Sequence, residues 1–271
     1  MTDAMTEPAE ILLTDSITRL EAPRGKVVVA ASHGGIYAAY LAARSGARAV
    51  ILNDASVGRD RAGIGGLDYL AGFAMPAATI GYDSARIGDG ADMLARGRIS
   101  HVNEPARALG VVPGQACRDA ADRLRGASAL ARDVPALTET RSLLAPGPPA
   151  VWAIDSASLV RPEDDGVILV TGSHGALLGG KPDSALKASP RAALFSDAGV
   201  GIDRVGITRL PALAARGIAA ATVAAASARI GDAKSLYHDG VISHVNAVAA
   251  AAGGRPGMTT KAFIALFQRA Q

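Results

Sequence analysis

Cysteine is almost absent from this chain of 271 residues, since Cys117 is the only one. A single cysteine excludes an internal disulfide and any zinc site built from several cysteines. Aromatic residues make up only 4% of the chain, which argues against a large protein-binding surface. Alanine and glycine are abundant instead, and small residues of this kind favour close packing of helices against a sheet.

Long apolar runs and strong charge are also missing. No run of about 18 apolar residues occurs, because Ser227 and Arg229 interrupt the alanine-rich stretch that begins at 218. The first ten residues, MTDAMTEPAE, lack a basic segment followed by an apolar one, so no signal peptide is predicted. The net charge of +3 is too small to attract nucleic acid. We therefore expect a soluble cytoplasmic protein with neither a nucleic-acid nor a membrane partner.

The chain does contain a long internal repeat. SARIGDGADMLARGRISHVN (84–103) returns as SARIGDAKSLYHDGVISHVN (227–246), and 26 of the 50 positions in 54–103 are identical to those in 197–246. Upstream, VVVAASHGG (27–35) matches VILVTGSHGA (167–176). A period near 140 residues is too long for a solenoid. It predicts a duplicated half-domain with pseudo-twofold symmetry.

Strands and helices alternate within each copy. Apolar, β-branched runs such as 26–31 are followed by helical patterns, which is typical of an α/β fold with a mainly parallel sheet covered on both faces. We predict a first unit at 1–134, a proline-rich connector at 135–150 and a second unit at 151–271. The segment after the second SHG contains Pro182 and Pro190, which a regular helix does not accommodate.

Polar residues shared by both copies fall at the predicted carboxyl ends of the strands, where ligands bind in open parallel sheets. Histidine can supply acid–base catalysis, aspartate can orient it, and arginine can hold an anion. The predicted catalytic residues are Ser32, His33, Asp54 and His101, with their copies Ser173, His174, Asp197 and His244. The predicted substrate-binding residues are Gly34, Gly35, Asp60, Ser84, Arg86 and Asn103, with Gly175, Asp203, Ser227, Arg229 and Asn246.

Each of these groups also has a structural interpretation. A tight turn alone would explain the glycines after His33 and His174. Likewise, Ser84 could cap a helix and Arg86 could form a local ion pair. We nevertheless expect His33 and Arg86 to matter more for function than for stability. A histidine of SHVN, His101 or His244, is the expected base for Ser32 or Ser173, since adjacent Ser and His side chains point apart in a strand.

No cofactor is predicted. The GxGxxG fingerprint, a P-loop, a GxSxG elbow and a convincing cofactor lysine are all missing. A divalent metal remains an alternative, because each copy offers histidines and aspartates, although without HxxxH spacing. The sequence favours a cofactor-independent hydrolase of a small polar or anionic metabolite, forming a homo-oligomer. An isomerase or lyase, or a non-catalytic small-molecule-binding protein, is the alternative.

Overall fold

The structure is a computed structural model that describes residues 9–130 and 133–268. It contains two mixed sheets, so the predicted α/β class is confirmed. The first sheet consists of β1 (Ile11–Thr14), β2 (Val27–His33), β3 (Ala49–Asn53), β4 (Ala77–Ile80) and β5 (Ile99–Val102). The second consists of β6 (Arg141–Ala145), β7 (Val151–Ile154), β8 (Ile168–His174), β9 (Ala192–Ser196), β10 (Ala219–Val223) and β11 (Ile242–Val245).

In both sheets the strands lie in the order in which they occur along the chain. Neighbours from β1 to β4 and from β7 to β10 are parallel. The edge strands β5, β6 and β11 are antiparallel to their neighbours, which makes both sheets mixed. The strand β6 lies inside the stretch predicted as a connector, and it adds an edge to the second sheet that the first sheet does not have.

Helices cover both faces of each sheet. Alternate residues of β2 face opposite sides, so Val28 packs with α1 and α2 whereas Val27 packs with α3 and α5. The first sheet carries α1 (Ile36–Arg44), α2 (Gly65–Ala71), α3 (Gly90–Arg96), α4 (Glu104–Ala108) and α5 (Cys117–Leu124). The second carries α6 (Arg209–Ala214), α7 (Ala233–Asp239), α8 (Ala247–Ala251) and α9 (Thr260–Gln268).

The two copies differ most after the SHG turns. The first continues into the regular helix α1, whereas the second forms two short 3-10 turns, Leu178–Gly180 and Pro182–Ser184. This absence of a regular helix was predicted from the prolines, because proline cannot donate to the preceding turn.

The sheets meet through small buried side chains and reciprocal backbone bonds. Ala55, Ile87, Ala198 and Ile230 belong to one buried apolar cluster. The Arg59 N–H donates to the Ala225 carbonyl at 2.9 Å, and the Ile202 N–H donates to the Tyr82 carbonyl at 3.0 Å. Contacts of this kind fix one sheet against the other and define the space between them.

None of the helices in the described ranges has the length and apolar character needed to cross a membrane. The segment on which the signal-peptide prediction depends lies mostly in residues 1–8, which are outside the described residues.

Candidate functional site

A cavity of about 210 Å³ lies between the two halves, at the carboxyl ends of β2 and β8. Both SHG turns reach it, so the structure brings together His33, His174, Ser32 and Ser173. We call this space the histidine cavity. Its other polar lining residues are Ser16, Thr18, Arg19, Tyr37, Glu139, Asp155, Ser156, Ser158, Asp183, Ser184, Lys187 and Arg209.

The two histidines are held in the same way. Gly35 N–H donates to Nδ1 of His33, and Ala176 N–H donates to Nδ1 of His174, both at 3.2 Å. A ring nitrogen that accepts a backbone hydrogen bond carries no proton, so the proton of each neutral ring is on Nε2. Burial lowers the pKa of His33 to about 4. Burial, followed by Arg209 and His33, lowers the pKa of His174 well below its ordinary value. Both rings are therefore neutral hydrogen-bond donors at pH 7.

The serines of the SHG turns organise the neighbouring chain. Ser32 Oγ accepts from Ile17 N–H at 3.0 Å, and Ser173 Oγ accepts from Ala157 N–H at 2.9 Å. In the described part of the chain, neither hydroxyl is hydrogen-bonded to a histidine. The predicted pairing of these serines with a histidine base is therefore not formed, and both serines position the cavity wall.

Arg209 is a buried cation in the cavity wall that the sequence reasoning missed. Its side chain is 4% exposed, and its Nε donates to the Ala176 carbonyl at 3.0 Å. Another guanidinium nitrogen donates to the Ala185 carbonyl, and the Phe195 ring centroid lies 5.0 Å away. Burial, followed by the charge of Arg19, lowers its pKa to about 10. A buried guanidinium held by carbonyls remains charged at neutral pH and is suited to bind an anion.

Glu139 is the second residue that was missed. It precedes β6, inside the stretch predicted as a connector, and it reaches the cavity beside Ser156. Burial, followed by the charge of Asp155, raises the pKa of Glu139 to about 7, although the hydrogen bond with Ser156 opposes the shift. Asp155 Oδ2 accepts from both the N–H and the hydroxyl of Thr140 at 2.7 Å, which fixes the segment that carries Glu139.

We expect Glu139→Gln to raise the free energy of unfolding at pH 8. The folded pKa of about 7 lies above the ordinary 4.5, so folding favours the protonated carboxyl. That contribution is fully present below pH 4.5 and is lost as the pH rises through 7. This half-buried group is partly screened by solvent. The unfolding free energy of the variant, relative to that of the unmodified protein, should therefore be about 1 kcal/mol higher at pH 8 than at pH 5. Urea unfolding at both pH values tests this, and a pH-independent difference would contradict it.

Repetition is the reason why these two residues were missed. The position of Arg209 corresponds to Gly66 in the first copy, and Glu139 lies outside the repeated stretches. A search for residues shared by both copies therefore passes over them. The signal that the sequence offered was an arginine at 209 where the first copy has a glycine.

Arg86, Arg229, Asp60 and Asp203, four of the predicted substrate-binding residues, do not line the histidine cavity. Arg86 Nε donates to Asp203 Oδ2 at 2.9 Å, and Arg229 Nη1 donates to Asp60 Oδ2 at 3.0 Å. Both ion pairs join one half to the other at the surface, with side chains 40–59% exposed. The charges on the arginines are thus neutralised within the protein.

We expect Arg86→Ala to cost less than about 1 kcal/mol of unfolding free energy, because exposed ion pairs are weak. Asp203 also keeps its contact with Arg96, at 2.7 Å. Small-anion binding in the histidine cavity should be unchanged, as measured by calorimetric titration beside urea unfolding. Loss of anion binding in a fully folded Arg86→Ala protein would instead support the prediction that Arg86 holds the anionic group of the substrate.

The SHVN histidines do not reach the SHG turns, so the predicted base for Ser32 and Ser173 is not there. His101 lines a separate cavity of about 160 Å³, where its Nδ1 lies 3.1 Å from Ser100 Oγ. His244 is not among the lining residues of the histidine cavity, and its buried Nδ1 has no partner among the described residues. The antiparallel direction of β5 and β11 explains this, because their carboxyl ends point away from those of β2 and β8.

Asp54 and Asp197 support turns at the junction of the halves. Asp54 Oδ1 accepts from Ser56 and Tyr82 N–H groups, at 3.0 and 2.9 Å. Asp197 Oδ1 accepts from Gly199 and Ala225 N–H groups, both at 2.9 Å. Burial raises the pKa of Asp54, while hydrogen bonds from Ser100 and the two backbone groups oppose the shift. Neither aspartate lines the histidine cavity.

Asn103 and Asn246 have no free group for a substrate, which corrects their predicted role. The Asn103 side chain accepts from Ala77 and Ala106 N–H groups and donates to the Leu67 and Met75 carbonyls. Asn246 makes the equivalent four bonds in the second half. Both amides are fully occupied by backbone.

Ser84 and Ser227 also have structural roles. Ser84 Oγ donates to the Gly81 carbonyl at 2.8 Å and accepts from Arg98 N–H at 3.0 Å. Ser227 Oγ makes the corresponding bonds to Ala224 and Val241. These hydroxyls close turns rather than face the cavity.

The glycines of the SHG turns are required by close backbone contacts. A Cβ on Gly34 would lie 2.6 Å from the Gly63 carbonyl oxygen, and one on Gly175 would lie 2.3 Å from the Gly206 carbonyl oxygen. Gly35 contributes its N–H to His33, as described above. The glycines therefore place the histidines and need not contact a substrate.

No group of three or more His, Cys, Asp or Glu side chains within residues 9–130 and 133–268 is placed to hold a metal ion. The predicted metal alternative grouped His33 with His101, and these two residues line different cavities.

No family model, curated protein or solved structure matches the chain.

Proposed function

We propose that the histidine cavity is the active site of a cofactor-independent hydrolase that acts on a small anionic metabolite. The observation that carries this proposal is the convergence of His33, His174, Glu139 and Arg209 on one cavity. Its volume of about 210 Å³ is below the ~300–1,000 Å³ of pockets for drug-sized ligands. A substrate of few heavy atoms fits this space.

Each group has a distinct proposed role. Glu139, with a pKa of about 7, takes a proton from water and returns it to the leaving group. The Nε2–H groups of His33 and His174 stabilise the negative charge that develops on a substrate oxygen. Arg209 binds the anionic group of the substrate. We therefore assign acid–base catalysis to the carboxyl of Glu139 and not to the histidines, because the histidine pKa values lie well below 7.

The proposal is tested with small anionic esters such as monomethyl succinate, whose hydrolysis a pH-stat follows, and with amides such as succinamate, whose hydrolysis is followed by the release of ammonia. We expect hydrolysis by the unmodified protein and at least a hundredfold lower kcat for Glu139→Gln. Glu104→Gln, an exposed change on α4, is the matched control and should keep the full rate. An unchanged rate in Glu139→Gln would contradict the proposal.

One specific observation favours an isomerase or lyase as the second candidate. A carboxylate base opposite a neutral imidazole donor also suits removal of a proton beside a carbonyl group. Such an enzyme would incorporate deuterium from D₂O into a carbon of its substrate without hydrolysis. NMR of the same compounds in D₂O distinguishes the two reactions. Binding without either reaction would favour the non-catalytic alternative.

We also propose that the halves arose by duplication and are related by a pseudo-twofold axis. The sequence repeat supports this, as do the reciprocal pairs Arg86–Asp203 and Arg229–Asp60. In an experimental structure, superposing residues 11–130 on 151–268 should bring His33 onto His174. A mismatch there would contradict the duplication. A homo-oligomer stays a prediction, which sedimentation can test.

A further inference from the structure

The histidine cavity is lined by charged side chains that are not paired with one another. In the described part of the chain, no ion pair includes any of the charged residues of its wall. These residues are Arg19, Lys187 and Arg209, with Glu139, Asp155 and Asp183. Arg209 is buried and Glu139 and Asp155 are half-buried, whereas Arg19, Asp183 and Lys187 are exposed. A buried or half-buried charge without an ion-pair partner is costly, so Arg209 and Glu139 are the charges that a ligand would satisfy.

Like charges are neighbours in this wall. Arg209 is close enough to Arg19 for that charge to lower its pKa, and Glu139 is close enough to Asp155 for that charge to raise its pKa. A random arrangement of three cations and three carboxyls would favour contacts between opposite charges. We call Arg209 with its neighbour Arg19 the cationic side of the cavity, and Glu139 with its neighbour Asp155 the acidic side.

The hydrogen bonds indicate which carboxyl is available. Asp155 already accepts from Thr140 N–H, Thr140 Oγ1 and Ala233 N–H, at 2.7, 2.7 and 3.1 Å. Glu139 has only Ser156 as a hydrogen-bond partner that affects its titration. Glu139 therefore has free lone pairs for a donor on a ligand, whereas Asp155 holds the segment in place.

We infer that the ligand of the histidine cavity is a small zwitterion, an amino acid or a close derivative. Its carboxylate lies at Arg209, and its ammonium group lies at one carboxyl oxygen of Glu139, which leaves the other oxygen to act on water. The inference rests on the proposed function, since it names the substrate class of the same site. A ligand with only a carboxylate would leave the acidic side unpaired, and one with only an ammonium would leave Arg209 unpaired.

Binding of an ammonium group has an electrostatic consequence. The titratable groups that face Glu139 are Asp155 and Tyr37. The charge of Asp155 favours the protonated form of Glu139, and the charge of Glu139 raises the pKa of Tyr37. An ammonium beside the carboxyl acts in the opposite direction and lowers its pKa. A carboxylate ligand at Arg209 has no such effect, so the shift distinguishes the two classes of ligand.

The test compares four-carbon compounds that differ only in charge. Calorimetric titration of the full chain uses L-2-aminobutyrate and 4-aminobutyrate as zwitterions, butyrate as the anion and butylamine as the cation. We expect at least one zwitterion to bind ten times more tightly than both singly charged compounds. NMR of the Glu139 carboxyl should show its pKa falling by at least one unit with that zwitterion and remaining unchanged with butyrate.

Two variants locate the charges of the ligand. Glu139→Gln should bring the affinity for the zwitterion down to that for butyrate and leave butyrate unaffected. Arg209→Lys should weaken zwitterion and butyrate together. If Arg209→Lys fails to fold, Lys187→Gln at the same wall, which is exposed, replaces it as a test of the cationic side. Glu104→Gln is the control for charge removal elsewhere.

The outcomes separate this inference from the proposed function. Equal affinity for butyrate and the zwitterions would overturn the zwitterion inference while leaving an anion-binding active site. Tighter binding of butylamine than of either zwitterion would overturn the inference as well. Absence of binding by all four compounds would overturn it, and failure of hydrolysis in the separate assay would then remove the proposed function.

Discussion

Replacement of Asn103 by alanine is expected to lower the free energy of unfolding by about 3–4 kcal/mol. The amide bonds two backbone N–H groups and two carbonyls from three separate segments, and all of these lie in a buried region. Alanine leaves the four backbone groups without a partner, and the small space admits little water. Urea unfolding at pH 7 measures the loss.

A capping residue with a single bond is the matched control for Asn103→Ala. Asp89 caps α3 and, among the described residues, its side chain accepts only from Asp92 N–H, at 2.9 Å, so Asp89→Ala should cost about 1 kcal/mol. Asn246→Ala should match Asn103→Ala, because its four bonds are equivalent. A loss near 1 kcal/mol for Asn103→Ala would mean that the asparagine acts only as a cap.

The asparagines show what repetition in a sequence can and cannot indicate. A residue present in both copies is one that both halves require, and the requirement can be structural. Asn103 joins the end of β5 to the strand β4 and the helix α2, as its copy does in the second half. Polar character at a strand end therefore predicted the location of these side chains but not their partners.

The strands and turns were predictable because they depend on local patterns. Apolar runs ending in SHG specify β2 and β8, and the prolines after His174 specify an irregular segment. The residues that face each other across the halves were not predictable, because their contacts depend on how one sheet packs on the other. Arg86 and Asp203 are 117 positions apart, and no local pattern links them.

The candidate site was predictable only in its symmetric part. The SHG histidines belong to both copies and were found from the repeat. Glu139 and Arg209 break the symmetry, since β6 exists only beside the second sheet and Arg209 stands where the first copy has Gly66. A single substrate in a shared cavity contacts the two halves differently, so residues unique to one half are expected there.

The acid sensitivity of folding tests the state of the two histidines. His33 has a folded pKa of about 4 against an ordinary value of 6.5, so the unfolded chain binds its proton more readily. The stabilising contribution is complete above pH 6.5 and is lost as the pH falls towards 4. For His33 alone the loss between pH 7.5 and pH 4.5 is about 2 kcal/mol. His174, whose pKa is also lowered, adds a loss in the same direction.

The matched variant is His33→Asn combined with His174→Asn. The Oδ1 atom of asparagine occupies the place of Nδ1 and keeps the bonds from Gly35 and Ala176, while the titrating ring is removed. Carboxyl groups elsewhere titrate equally in both proteins, so the difference in unfolding free energy isolates the histidines. We expect the variant to be less stable than the unmodified protein at pH 7.5, because ring packing is lost. At pH 4.5 this difference in unfolding free energy should be smaller by at least about 2 kcal/mol. A difference that stays constant over this range would mean that the rings titrate in the folded protein as they do in water. The cavity would then present charged imidazolium groups in mild acid, and the proposed role of the histidines as neutral donors would fail.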